Sequence, residues 1–191
     1  IVTLHTYRVD AFTDKLMDTV DIVTTTKDQD GMSNSFMGVP LPIVYVPNVD
    51  KRVARNKYGI REDDFVVGTF GMWQEHKGFR EFMDSYDSLV KVTGDNVKYV
   101  ISGAAPPKSQ YLMECRRQHI DKIRGGLFIF FEDYPPIEEV IERLSTCDAL
   151  VFDYSVAHWS SASAAIRTAM MAKAPIVCSE SPMFKEFENG K

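Results

Sequence analysis

The feature that most constrains this chain is a series of short apolar, β-branched runs that mostly lack polar alternation. They fall at Ile1–Leu4, Asp21–Thr25, Ile43–Val46, Phe65–Phe70, Val97–Ser102, Leu127–Phe131, Ala149–Phe152 and Ile176–Cys178. A strand with one wet face alternates polar and apolar residues, whereas a strand buried on both faces does not. Helical patterns lie between these runs. Phe79, Phe82, Met83, Tyr86, Leu89 and Val90 recur at three and four and form one stripe. Ile137, Val140, Ile141 and Leu144 do the same after Pro135-Pro136, with a proline suited to the first helical position. A third helix is expected from about Ser161 to Ala172. Strand–helix alternation of this kind predicts an α/β fold with a doubly wound, mainly parallel sheet. In such sheets ligands sit at the carboxyl ends of the strands. The polar, Gly/Pro-punctuated stretch Asp28–Pro42 is expected to be a short helix plus loop. A boundary is expected after Pro47–Asp50, which divides the chain into residues 1–50 and 51–191.

Composition narrows the class of function. With 191 residues, 45% hydrophobic and 26% charged, the chain can bury a core without staples. Its net charge of -5 carries no basic stripe, which argues against nucleic acid as a partner. Cys115, Cys147 and Cys178 are far apart, odd in number and set among apolar residues. They are expected to be small buried hydrophobes in a reducing compartment. No run is long enough for a membrane span and no signal peptide opens the sequence, so a cytoplasmic location without membrane association is expected.

Five elements can carry chemistry. In FVVGTFGMWQEHKGF a buried strand ends at Gly71, where a ligand can approach the backbone, and Lys77-Gly78 is expected to open a helix. A lysine beside free helix-start amides suits a diphosphate. A second strand ends at Gly103, before Ala104-Ala105-Pro106-Pro107. Ser160, Ser161 and Ser163 precede an alanine-rich helix as capping residues, and Arg167 follows Ser160 by about two turns. The loop Glu132–Pro135 can read a base edge, with Tyr134 stacking on it. His5 follows Ile1–Leu4 and can face a crevice as a donor or proton carrier. Taken alone, the serines suit an ordinary capping role as well as a binding one, and the lysine, the tyrosine and the histidine suit an ordinary structural role better: a solvated lysine, a turn tyrosine, a structural histidine. His76, His119 and His158 form no metal-ligand set with carboxylates, and His119 is expected on a helix surface.

In their order along the chain, these pieces resemble the family-4 (group 1) retaining glycosyltransferases of GT-B fold. VTLHTYR resembles the strand that ends in a histidine at the cleft. IVYVPNVD resembles the link between the two domains. KYGIREDDFVVGTFG…HKGF resembles the opening of the donor domain with its phosphate-binding Lys-Gly. YVISGAAP, IEEVIERLSTCDALVF and TAMMAKAPIV resemble the three segments that follow. Two departures stand out. Met72 stands where the family carries an arginine, and Ser160 and Thr168 stand where it carries a pair of acids.

The resemblance implies a Rossmann-like donor domain over 51–191 and the tail of an acceptor-side Rossmann-like domain over 1–50. It implies that the chain begins inside that acceptor-side half and lacks later elements. The reaction implied is transfer of a sugar from a nucleoside-diphosphate donor to an acceptor hydroxyl with retention, for glycan biosynthesis, with no metal cofactor. Lys77, Gly71, Gly103, Tyr134, Ser160, Ser161, Ser163 and Arg167 would bind the donor, and His5 would sit beside the transferred sugar. The partners implied are the donor and a glycan, lipid or small-molecule acceptor, and an exposed apolar edge would suit a homo-oligomer. Two rival readings are a nucleotide-binding scaffold without turnover and a nucleotide-sugar 2-epimerase of the same architecture.

Overall fold

A computed structural model describes residues 2–4, 23–25, 36–38, 47–155 and 163–187. The chain forms two compact units. The first comprises residues 1–42, 156–164 and 180–191, and the second residues 43–155 and 165–179.

In the first unit, β1 (Val2–Leu4), β2 (Val23–Thr25) and β3 (Phe36–Gly38) form a parallel three-stranded sheet in that order. β3 corrects the expectation of helix plus loop over Asp28–Pro42. The Gly/Pro punctuation there signals turns, but Phe36-Met37-Gly38 is a short apolar run that pairs residue for residue with Val23-Thr24-Thr25. The strand expected at Ile43–Val46 lies outside the described residues.

The second unit opens with α1 (Lys51–Lys57), whose N-cap is Asp50. The Asp50 carboxylate accepts from the Arg52 and Val53 amides, the usual reason for an acid at this position. Then come β4 (Phe65–Phe70), α2 (Phe79–Asp84), α3 (Tyr86–Thr93), β5 (Val97–Ser102), α4 (Gln110–Gln118) and α5 (Ile120–Arg124). They are followed by β6 (Phe128–Phe131), α6 (Ile137–Ser145), β7 (Ala149–Phe152), α7 (Ala164–Met170) and β8 (Ile176–Cys178). The five strands run in the order β6-β5-β4-β7-β8, all parallel. The expected doubly wound α/β fold is therefore present.

Local departures from the expected elements have local causes. The stripe from Phe79 to Val90 is split at Ser85. Its hydroxyl bonds the Phe82 carbonyl at 2.7 Å and the Tyr99 hydroxyl at 2.8 Å, competing with the helix ladder. Pro136 is the N-cap of α6 rather than its first helical residue. α7 ends at Met170 because a tight turn follows, closed by bonds from the Met171, Ala172 and Lys173 amides and ending with Lys173 at φ 59°.

β4 and β5, in the middle of the sheet, are buried along most of their length. An aromatic cluster packs against them, with Tyr99 stacked on Phe82 at 4.3 Å and Phe128 at 5.3 Å. His119 belongs to this core and not to the surface. It is buried, with Nε2 3.0 Å from Asp84 and its ring tilted against Phe128, because α4 ends directly over the sheet. The outer strand β8 is mostly exposed. A groove of about 640 Å³ opens between α3 and the β7–β8 face, lined by Phe65, Val67, Leu89, Val92, Val151 and Val177. The expectation of burial on both faces thus fails at this edge. So does burial of Cys178, which is exposed, while Cys115 and Cys147 are buried and free.

Candidate functional site

The strand order reverses between β4 and β7. The chain leaves β4 toward β5 and β6 on one side, and β7 and β8 lie on the other. The carboxyl ends beside such a reversal are the place where open α/β sheets bind ligands.

The β4 exit is built by glycines that bring backbones together. A side chain at Gly103 would meet the Gly71 carbonyl at 2.4 Å and the Trp73 indole nitrogen at 3.0 Å, so only glycine lets the β4 and β5 ends close up. Bonds from the Gly71 amide to the Ser102 carbonyl and from the Trp73 amide to the Ala104 carbonyl hold the two exits in register. Trp73 then turns inward. It is 2% exposed and stacks on Phe79 at 4.2 Å. The loop is therefore anchored, and Met72 projects outward beside it.

A single 3₁₀ turn, Glu75–Lys77, follows, and Gly78 ends it at φ 66°. A side chain at Gly78 would overlap the Asp153 carbonyl at 1.8 Å. Glycine is thus required twice here, for the left-handed backbone and for contact with the β7 exit. The Ser155 amide donates to the His76 carbonyl at 3.1 Å and fastens the same two exits. Lys77 ends this turn and Gly78 is at once the N-cap of α2, so the expected helix start follows the lysine directly, with a 3₁₀ turn before it. The Lys77 amide donates to the Gln74 carbonyl, and the Arg80 amide at the start of α2 donates to the Tyr111 hydroxyl at 3.1 Å.

What the turn presents is the Lys77 ammonium. It lies 4.0 Å from the centre of the Tyr154 ring. Among the described residues no carboxylate lies within ion-pairing distance of it; every other close cation–carboxylate contact there involves different residues. Burial pushes its pKa down from the ordinary 10.5 to about 8. His76, beside it, is also held low, first by burial and then by the Lys77 charge. A partly buried cation without a carboxylate partner beside the strand-order reversal makes Lys77 a candidate anion-binding residue.

The other expected residues fall as follows. Gly71 and Gly103 meet at the β4–β5 exits. A side chain at Gly71 would touch the Ala165 methyl at 3.8 Å, so the start of α7 borders the same exit, and half-buried Arg167 lies farther along that helix. Tyr134, beyond β6, is 86% exposed. Its loop is stiffened by its neighbours. Asp133 accepts from both arms of the Arg143 guanidinium, at 2.5 and 2.7 Å, and Glu132 pairs with Arg116 at 2.8 Å. The Arg143 partnership, its largest influence, holds the Asp133 carboxyl below the usual range. These acids are occupied, which leaves Tyr134 as the projecting group. Ser163 is buried immediately before α7 and belongs to the first unit. His5, Ser160 and Ser161 lie outside the described residues. Sequence reasoning passed over Tyr154. The available signal was an aromatic two residues beyond the buried run ALVF, at a strand's carboxyl end.

The family model for glycosyl transferases group 1 matches residues 50–190. The chain belongs to this family. Solved structures agree on the fold. The C-terminal domain of a group 1 family protein (LpcC) from Francisella tularensis matches at 17% identity and TM-score 0.59, over 75% of this chain and 71% of that one. Anabaena Alr3699/HepE, solved in complex with UDP-glucose, matches at 15% identity and TM-score 0.71, over 97% of this chain and 54% of that one. An α,α-trehalose-phosphate synthase (UDP-forming) from Burkholderia vietnamiensis matches at 12% identity and TM-score 0.59, over 96% of this chain and 54% of that one. This group 1 chain therefore spans about half the length of the last two proteins. No curated protein matches the sequence. Among the described residues of this group 1 chain, no helix is long and apolar enough to cross a membrane.

Proposed function

We propose that the second unit binds a nucleoside-diphosphate sugar at the β4–β7 switch point and serves a retaining glycosyl transfer to an acceptor hydroxyl. The observation that carries this reading is Lys77, a desolvated ammonium without a carboxylate among the described residues, held where the strand order reverses. Family membership supports glycosyl transfer, and HepE, of similar fold, was solved with UDP-glucose.

In the transfer, the bond between the anomeric carbon and the β-phosphate oxygen breaks while the acceptor oxygen bonds to that carbon. The pair of electrons from the broken bond stays on the diphosphate, and the acceptor's proton leaves with the diphosphate or to water. A fixed positive charge at the leaving group favours that charge separation more than it favours the bound donor. Lys77 supplies the charge in this reading, Arg167 adds to it, and no metal ion is invoked. Gly71 would let the phosphates approach the backbone at the β4 exit, and Gly103 would act behind it by letting the β4 and β5 ends close up. Tyr134 would stack on the base. Acceptor positioning belongs to the other half of such an enzyme, so these 191 residues alone are expected to turn over poorly.

Calorimetric titration tests the reading. Lys77→Ala is expected to weaken nucleoside-diphosphate binding about tenfold or more, since a charge-assisted contact is worth roughly 1.5–3 kcal/mol. The nucleoside without phosphates should bind both proteins alike. Equal diphosphate affinity for parent and variant would move the site elsewhere. Binding of the diphosphate without any sugar released from a panel of nucleotide sugars, in a chain supplied with its acceptor half, would favour the scaffold reading.

A further inference from the structure

The Lys77 ammonium rests against an aromatic ring and not against a carboxylate of the described residues. Lys77 Nζ lies 4.0 Å from the centroid of Tyr154, which is 3% exposed. The ring is fixed from several directions. Phe152 meets it edge-on at 6.1 Å and His76 at 6.3 Å. The Ser179 hydroxyl donates to the Tyr154 carbonyl at 2.9 Å, which ties the β7 exit to β8. The turn that carries Lys77 is fastened to the same exit by the Gly78–Asp153 contact and by the Ser155 amide. Lysine and ring are thus positioned by one set of backbone contacts.

We propose that Tyr154 is a positioning residue for Lys77: its ring face seats the ammonium at the switch point and stands in for a carboxylate counter-ion. The inference rests on the reading that Lys77 meets a diphosphate. A ring attracts a cation through its negative face but carries no net charge. A carboxylate would have to be displaced by an incoming phosphate, whereas the ring need not be. The ring occupies one side of the ammonium and leaves N–H donors on the other. The seat therefore restrains the lysine without neutralising it.

The surroundings agree. Glu75 and His76 lie on the same turn, Arg80 and Glu81 on α2, Asp153 at the β7 exit and Arg167 on α7. None of these carboxylates is ion-paired to Lys77, and Arg80 is engaged by Glu114 at 3.3 Å. His76 is held toward its neutral form, first by burial, and so does not add a competing charge at neutral pH. Burial alone would favour loss of the Lys77 proton, and the ring face opposes that loss.

The test varies the ring's charge distribution without varying its size. Tyr154→Phe removes the hydroxyl. Phenylalanines bearing increasing numbers of ring fluorines, placed at position 154, then weaken the negative face stepwise. Two quantities are read for each protein: the Lys77 titration by NMR of ¹³C-methylated lysines, assigned with Lys77→Arg, and nucleoside-diphosphate affinity by calorimetry. Tyr154→Phe is expected to keep the parent's midpoint and to bind the diphosphate within about twofold of the parent. The fluorinated series should lower the midpoint progressively and weaken the diphosphate by about threefold or more at the most fluorinated member, with nucleoside affinity unchanged. A midpoint that is flat across the series would overturn the proposal, as would loss of the parent midpoint on Tyr154→Phe, which would assign the effect to the hydroxyl. The titration is read without ligand. If the parent binds no diphosphate but the midpoints follow the ring, the seat stands and the donor-site reading fails. If the parent binds diphosphate but the midpoints are flat, the reverse holds.

Discussion

The two ends of the five-stranded sheet treat positive charge in opposite ways. At the amino end, Asp148 gathers Lys51 at 2.7 Å, Arg55 at 2.7 Å and the Val66 amide at 2.8 Å. Arg55 also reaches the Thr146 and Glu62 carbonyls, so its guanidinium is buried with its donors used. Burial pushes the Asp148 carboxyl up, but Lys51, the Val66 amide and Arg55 outweigh it and hold it below the usual range. At the carboxyl end, Lys77 is desolvated and faces a ring. Both ends remove a cation from water, but only the amino end compensates it with an anion inside the protein. The difference separates a charge that latches a helix onto a sheet from one without an anion among the described residues, which is the charge proposed above to meet a ligand.

The contrast can be broken most forcefully at the amino end. Asp148→Asn leaves Arg55 buried without an anion and should cost about 3 kcal/mol in denaturant unfolding, since breaking a buried pair strands the surviving charge. Nucleotide binding at the other end should stay within about twofold of the parent. The sign with pH follows from the depressed carboxyl. Its stabilisation is full above the ordinary 3.8 and is lost as pH falls through the lower folded value, so parent and variant should converge in acid. A variant that stays less stable at every pH would mean that the Asn, not the lost charge, is responsible.

Gly78→Ala probes the joint between the two exits. It must leave a left-handed backbone and clear the Asp153 carbonyl, so a loss of about 1–3 kcal/mol is expected, together with weakened diphosphate binding. Unchanged stability would show that the exits can part without consequence.

Lys77→Met sharpens the comparison by its small and opposite effect. No ion pair among the described residues is broken, so the variant should be as stable as the parent or slightly more stable at pH 7. The folded pKa of about 8 lies below the ordinary 10.5, so the unfolded chain binds more protons between these values. The parent's deficit is present below pH 8 and should shrink as pH rises toward 10.5, as followed by unfolding curves across that window. A variant clearly less stable than the parent at neutral pH would mean that the contact with the Tyr154 ring outweighs the cost of burying the charge. Smallest of all, Tyr134→Ala should change stability by no more than about 0.5 kcal/mol, because the side chain is exposed, and should lower nucleoside affinity by about fivefold if a base stacks there.

The apolar runs at Phe65–Phe70, Val97–Ser102 and Ala149–Phe152 were legible because none alternates with polar residues, and the structure has those bounds unchanged, although one face of β7 is only partly covered. The order of the motifs was enough to expect the family that the model match shows. Lys77 and Gly78 were visible as a pair at a helix start, and α2 does begin there; the 3₁₀ turn before it and its fastening to the β7 exit were not legible. That outcome depends on Asp153, a residue 75 positions away, and no local spacing carries it. The short strand at Phe36–Gly38 was missed for a similar reason, since its hydrogen bonds come from Val23–Thr25 and not from its own segment.

The sequence by itself determined the α/β class, the periodic helices and the residues able to carry charge, because these follow from which side chains avoid water. Only the tertiary structure decided which charges are paired. Asp148 and Arg55 are 93 residues apart and meet, whereas Lys77 meets Tyr154. Pairing depends on distance after folding, and in a parallel sheet neighbouring strand ends are brought together by crossovers whose length the local pattern does not reveal.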